Sequence, residues 1–229
     1  MQVWIWRKIF RMMVIKNLDH KTITRLKAVV FLAALLPLAK LCWYGIHDDL
    51  GANPIEKITR STGYWALSLL ILSLAVTPLR LMTGWQWLVR LRRMLGLFAF
   101  CYACLHFLCY IVLDQFFDWD GIAKDIVKRP YITVGFPAFL LLIPLALTST
   151  DTMIRKLGGK RWKSLHKLVY LSAMGGVVHY WWLVKRDLSN PIAFAIILVL
   201  LLGFRLIRYW VQPRNQQISP VPLMPVSNK

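Results

Sequence analysis

Acidic side chains are scarce: ten Asp and Glu stand against 29 Lys and Arg, a formal net charge of +19. Long polar stretches of the kind that cover a soluble domain are missing too. Of the 229 residues, 58% are hydrophobic and the mean hydropathy is +0.52. Together these values exclude an ordinary soluble domain and a disordered chain. The four cysteines, Cys42, Cys101, Cys104 and Cys109, all fall within apolar runs, so no disulfide framework is visible. Cys101 and Cys104 have the spacing of a redox or zinc half-site, but they sit inside a helical run without a second pair, and packing is the expected role. What remains is an integral membrane protein of one domain.

A positive balance in a soluble chain would point to nucleic acid. Here the basic residues sit in short blocks between apolar runs, where the positive-inside rule accounts for them, and the expected partner is the lipid bilayer, with no nucleic acid. The segment 1–27 is basic and mildly amphipathic and has no small-residue cleavage site after a compact apolar core, so it reads as a cytoplasmic segment and not a signal peptide. The tail 211–229 is proline-rich and polar and reads as a disordered cytoplasmic extension.

Between them, residues 28–210 hold six apolar runs: 28–46, 64–82, 94–113, 131–147, 165–184 and 191–210. Each is near the ~20 residues a bilayer demands. Backbone polar groups in lipid must be satisfied within the segment, and these runs lack the alternation of barrel strands. The expected fold class is therefore all-α, an integral membrane six-helix bundle. Basic residues crowd the N-terminal segment, the second loop (Arg80, Arg90, Arg92, Arg93) and the fourth (Arg155, Lys156, Lys160, Arg161, Lys163). The other loops collect Asp48, Asp49, Glu56, Asp114, Asp118, Asp120, Asp125 and Asp187, leaving Asp19 and Asp151 on the basic side. This asymmetry places both termini in the cytoplasm. Trp43, Tyr44, Trp65, Trp119, Trp181 and Trp182 near the outer span ends fit an aromatic belt.

Ionisable residues inside spans are costly and mark function. His20 and His47 fall at polar ends and are expected to be solvated, whereas His106 lies deep in the third run and His166 and His179 bracket the fifth. The third and fifth spans run in the same direction, and His106 and His179 each fall ~18 to 21 Å past the start of their runs. Two level imidazoles on different helices are what a bis-histidine haem needs, since neutral imidazole is a recurrent axial ligand and a helical bundle supplies side chains to both faces of the macrocycle. Histidines that merely hydrogen-bond between helices are the other reading of the spacing. No Cys-x-x-Cys-His attachment string occurs, so the haem would be haem b. Thirteen residues separate His166 from His179, a turn of ~220 degrees on a straight helix. The two can face one neighbour only if Gly175 and Gly176 let the helix bend, or else each faces a different part of the interior.

The strings NPIEKITRSTGYWAL, LAVTPLR, RRMLGLFAFCYACLHFLCYIVLD, KRPYITVGFPAFLLLIPLALTST and RWKSLHKLVYLSAMGGVVHYWWLVK resemble the haem-binding membrane subunits of the bacterial periplasmic protein-methionine-sulfoxide reductase system. That family belongs to a wider ferric-reductase-like transmembrane group. The resemblance implies an electron-transfer subunit in the Gram-negative inner membrane, fed by the quinone pool or a cytosolic flavin reductase. It further implies delivery to a periplasmic molybdopterin-containing subunit that reduces methionine sulfoxide in oxidised envelope proteins. No substrate-reducing site is expected on this chain. FMN is implied as a second cofactor. Carried over residue by residue, His106 and His179 match the outer haem pair and His166 the inner ligand of the fifth helix. Fourteen positions before His106, where two-haem relatives have histidine, this chain has Arg92, and guanidinium is no iron ligand. With Arg93, Arg161 and Lys163 it forms an expected cationic site for a flavin phosphate beside His166; the other reading is that these charges only anchor helix ends against anionic headgroups. Two other readings compete. A proton channel or transporter relaying through the histidines predicts a colourless protein, and a metalloreductase acting on ferric ions requires a nucleotide-binding domain or a dedicated reductase partner.

Overall fold

The computed structural model describes residues 19–211. Of the expected N-terminal segment and tail, residues 1–18 and 212–229 lie outside the described residues. Nine α-helices are found among the described residues: α1 (His20–Ile46), α2 (Pro54–Thr83), α3 (Val89–Cys109), α4 (Trp119–Lys128), α5 (Pro130–Leu147), α6 (Asp151–Leu157), α7 (Gly159–Leu165), α8 (Leu168–Leu183) and α9 (Ser189–Val211). A 3-10 turn, Gln86–Leu88, leads into α3, and a π-helical turn, Tyr110–Asp114, continues it. No strand occurs among these residues, so the fold class is all-α.

Helix starts follow their caps. The Asp19 side chain accepts from the His20 N–H, so α1 begins ahead of the apolar run at 28 and takes in Lys21, Arg25 and Lys27. Asn53 caps α2 by accepting from the Glu56 N–H at 3.2 Å and donating to its carboxylate at 3.0 Å, with Pro54 in the first turn.

Five segments are long and apolar enough to cross a membrane: α1, α2, α3 with its flanking turns, α5 and α9. Of the six expected spans, the run 165–184 is the one that supplies no helix of this length among the described residues. The chain leaves the helix at His166 and Lys167, and α8 keeps 16 residues, short of the ~17–25 of an ordinary span. The contacts of the turn come from outside the run. His166 is held in its turn by Thr148 at 3.2 Å and by the Trp162 ring, 4.0 Å away between centroids.

The core forms where α2, α3 and α8 meet, with Leu74, Ala99 and Ala173 fully buried. Helices pair closely as α2 with α3 and α5 with α8, and the two pairs touch each other over fewer residues. Gly175 and Gly176 serve this packing, and α8 runs unbroken through both. A methyl on Gly175 would come within 2.8 Å of the Ala138 Cβ, and one on Gly176 within 3.2 Å of Leu67. By contrast α1 and α9 leave large apolar side chains exposed, Leu36 at 65% and Val199 at 69%. An apolar surface of this extent belongs in lipid.

In two spans a neighbouring helix bonds the backbone at or beside a proline, as lipid requires. Pro37 interrupts α1, and the Tyr102 hydroxyl of α3 inserts there, accepting from the Leu38 N–H at 3.2 Å and donating to the Ala34 carbonyl at 2.8 Å. Pro78 in α2 has no N–H for the Leu74 carbonyl. The Arg205 guanidinium of α9 donates to that carbonyl instead, with its carbon 5.3 Å from the Tyr170 ring centre. Tyr102→Phe leaves both α1 groups without this partner. It is expected to cost ~1–3 kcal/mol in reversible unfolding in detergent, and to speed proteolysis of α1 before the rest of the bundle.

Candidate functional site

The site is built twice by the same local device. His106 of α3 points at α2, where its Nδ1 donates to the Thr59 carbonyl at 2.9 Å. His179 of α8 points at α5, where its Nδ1 donates to the Tyr131 carbonyl at 2.7 Å. Four residues after each acceptor stands a glycine, Gly63 and Gly135. A carbonyl has two lone pairs, so it can serve both its helix and the ring. The residue four positions on occupies the same helix face, and there any side chain would block the ring. A Cβ on Gly63 would fall 2.9 Å from His106 Cε1, and one on Gly135 would fall 3.0 Å from His179 Cε1 and Cγ. Glycine at both places lets the rings reach the carbonyls.

Because a carbonyl can only accept, Nδ1 carries the proton in both rings. In the neutral ring that leaves each Nε2 unprotonated and able to ligate. The ring centres are 6.0 Å apart with planes at 79 degrees. A metal ion bound by both Nε2 atoms, at the ~2.0–2.1 Å usual for imidazole, would separate ring centres by ~6 Å. No group of three or more His, Cys, Asp or Glu is placed to hold a metal among the described residues. A metal at this pair therefore needs its remaining ligands from a group that brings its own. The Thr59 hydroxyl beside the site is buried without a partner. Phe107 packs against Phe136 and Phe139, with centroids at 5.7 and 4.9 Å, and makes the α3–α5 seam next to His106 apolar.

The other expected site residues lie elsewhere. His166 is not on α8 with His179 but in the preceding turn, where its Nε2 meets the Thr148 hydroxyl. Burial first, and the Arg92 guanidinium second, hold His166 below the ordinary imidazole range. Arg93, one residue and ~100 degrees further round α3, pairs with Asp151 at 2.7 Å. Arg161 and Lys163 are exposed on α7. Sequence reasoning did not single out Thr59, Gly63, Tyr131 or Gly135. The legible trace was a glycine inside a helical run opposite a histidine-bearing one, a signal that is specific only once the partner helix is known.

These features define a multi-pass helical membrane protein that brings two imidazoles within 6.0 Å of each other between its helix pairs. Residues 62–177 match the ferric reductase like transmembrane component family. A protein-methionine-sulfoxide reductase heme-binding subunit MsrQ of Herminiimonas arsenicoxydans is 55% identical over 190 residues, 82% of this chain and 87% of the relative. The MsrQ of Rhodospirillum rubrum is 60% identical over 79% of this chain and 87% of its own length. That of Ralstonia nicotianae is 48% identical over 90% and 97%. The chain belongs to the MsrQ family within the ferric-reductase-like transmembrane proteins.

Proposed function

We propose that this chain is the membrane electron-transfer subunit of a methionine-sulfoxide reductase system, with haem b held between His106 and His179. The observation that carries the proposal is a pair of imidazoles with ring centres 6.0 Å apart and no third protein ligand among the described residues. Haem would bring most of its iron's ligands with it, and His106 and His179 would be the residues that hold it. The relatives' name, heme-binding subunit, supports the same reading. Bound there, the haem supplies a one-electron couple. The protein's share is orientation. The Thr59 and Tyr131 carbonyls fix ring angle and tautomer, the glycines admit the rings, and the phenylalanines exclude water from the seam.

The charge distribution supports an orientation with both termini in the cytoplasm and α8 crossing as a short sixth span, closely packed along α5. On this orientation the Tyr131 end of α5 faces the periplasm. It is braced by Asp125, which pairs with Arg129 at 2.9 Å and accepts from the Tyr110 hydroxyl at 3.1 Å, while Arg129 donates to the Tyr131 hydroxyl at 3.2 Å. Electrons would enter from the quinone pool or a cytosolic flavin reductase. They would leave to a periplasmic molybdopterin-containing reductase forming a heterodimer with this subunit in a Gram-negative inner membrane. His166 with Arg92 belongs to an inner site for a second cofactor, FMN or a haem with one histidine ligand; of the four cations expected around a flavin phosphate, Arg92 is the one whose charge reaches His166.

The test is a reconstitution. Chemically reduced haem in the purified subunit should be reoxidised when the catalytic partner and a methionine sulfoxide are both added. Absence of reoxidation, or equal reoxidation without the sulfoxide, would count against the proposed role.

A further inference from the structure

A groove of about 390 Å³ opens between α1 and α3, away from the histidine pair. Its lining is graded. At one end stand Lys27, Arg90 and Arg93, and beyond them the walls are Phe31, Leu97 and Phe98. The grading follows from helix periodicity. Residues 90, 93, 97 and 101 recur at three- and four-residue steps along one face of α3, and 27 and 31 are one turn apart on α1. Arg93 is paired with Asp151, so the three cations are met by one acid. Neither Lys27 nor Arg90 forms an ion pair among the described residues. The two helices otherwise meet at the Tyr102 clamp and at the edge-to-face contact of Phe31 with Phe98, 5.1 Å between centroids.

We infer that this groove is a binding site for one anionic phospholipid, its phosphate between Lys27, Arg90 and Arg93 and an acyl chain along Phe31, Leu97 and Phe98. Charge complementarity selects the class of ligand. A zwitterionic lipid offers no net charge to a site with excess positive charge, and a free phosphate leaves the apolar part of the lining in water. The occupant would complete the packing of α1, a helix whose apolar residues are mostly exposed. The inference depends on neither the haem assignment nor the direction of electron flow.

Cys101 closes the deep end of the groove and is exposed, which gives a readout on the unmodified protein. Delipidated protein in detergent is treated with a maleimide, and labelling of the Cys101 peptide is followed by mass spectrometry. Dioleoyl-phosphatidylglycerol should slow labelling saturably, whereas dioleoyl-phosphatidylcholine and inorganic phosphate should not. Native mass spectrometry should show one tightly retained phosphatidylglycerol per chain, and Lys27→Gln and Arg90→Gln should each weaken it about fivefold. Equal protection by phosphatidylcholine, protection by inorganic phosphate alone, or unchanged affinity in the folded double variant would each overturn the assignment. Should the double variant fail to fold, the labelling comparison on the native chain decides alone.

Discussion

His106→Ala and His179→Ala are each expected to strip haem from the purified protein, abolishing the reduced-minus-oxidised absorption bands while leaving the helical content unchanged. Loss of an outer partner of a ligating histidine commonly lowers metal affinity by ~10–100-fold, and loss of the ligand itself should exceed that. Neither histidine belongs to the fully buried core around Leu74, Ala99 and Ala173, so the bundle should survive both changes. His166→Ala is the informative contrast. That ring bonds Thr148 and stacks on Trp162 at the far end of the run, and its removal should leave the bands of the outer haem in place. Pyridine haemochrome per chain measures all three variants. Intact bands in both single mutants would sink the ligand assignment.

Gly135→Ala should be nearly as damaging to haem content, although it removes no ligand and no hydrogen-bonding group. A methyl at that position would collide with the His179 Nδ1 and fall 3.0 Å from two carbons of the ring. The ring must swing away, losing the Tyr131 carbonyl that sets its tautomer. Overpacking costs ~1–3 kcal/mol, whereas alanine in a helix interior recovers ~1 kcal/mol relative to glycine. The protein should therefore unfold at a similar temperature while its haem content falls by tenfold or more, the range seen when an outer partner is lost. Gly63→Ala should act in the same way through His106. Normal haem content with an unshifted midpoint potential in both variants would show that the carbonyl contacts do not govern ligation.

Much of this architecture is written in the hydropathy of the chain, because lipid leaves a continuous apolar run few alternatives to a helix. The runs at 28–46, 131–147 and 191–210 coincide closely with α1, α5 and α9 in their apolar portions. Boundaries followed other signals. Helix α2 extends back to Pro54 through Glu56, Lys57 and Arg60, residues that hydropathy discards but that the Asn53 cap makes helical. The surface helix α4 lay inside a stretch read only as an acidic loop, although Asp118 caps it and Ile122 is buried. The break at His166 has no local proline or glycine to announce it, and the partners of its ring, Thr148 and Trp162, lie on other elements.

The histidines themselves were legible, since imidazole deep in an apolar run is costly unless used. Their surroundings were not. The acceptors at Thr59 and Tyr131 are backbone carbonyls, which every residue possesses, and only the folded helix pairs show which ones are used. The glycine pair near His179 was conspicuous in the sequence, yet Gly175 and Gly176 serve helix packing, while the glycine that matters to His179 is Gly135 on another helix.

The central claim, one haem iron between His106 and His179, is tested most directly by electron paramagnetic resonance of the oxidised, purified subunit. Two imidazole ligands impose a low-spin ferric iron, and ring planes 79 degrees apart leave its two upper-filled d orbitals nearly equal in energy. The predicted spectrum is a highly anisotropic low-spin signal that disappears in His106→Ala and His179→Ala. A high-spin signal in the native protein, or a low-spin signal that persists in both variants, would contradict the account.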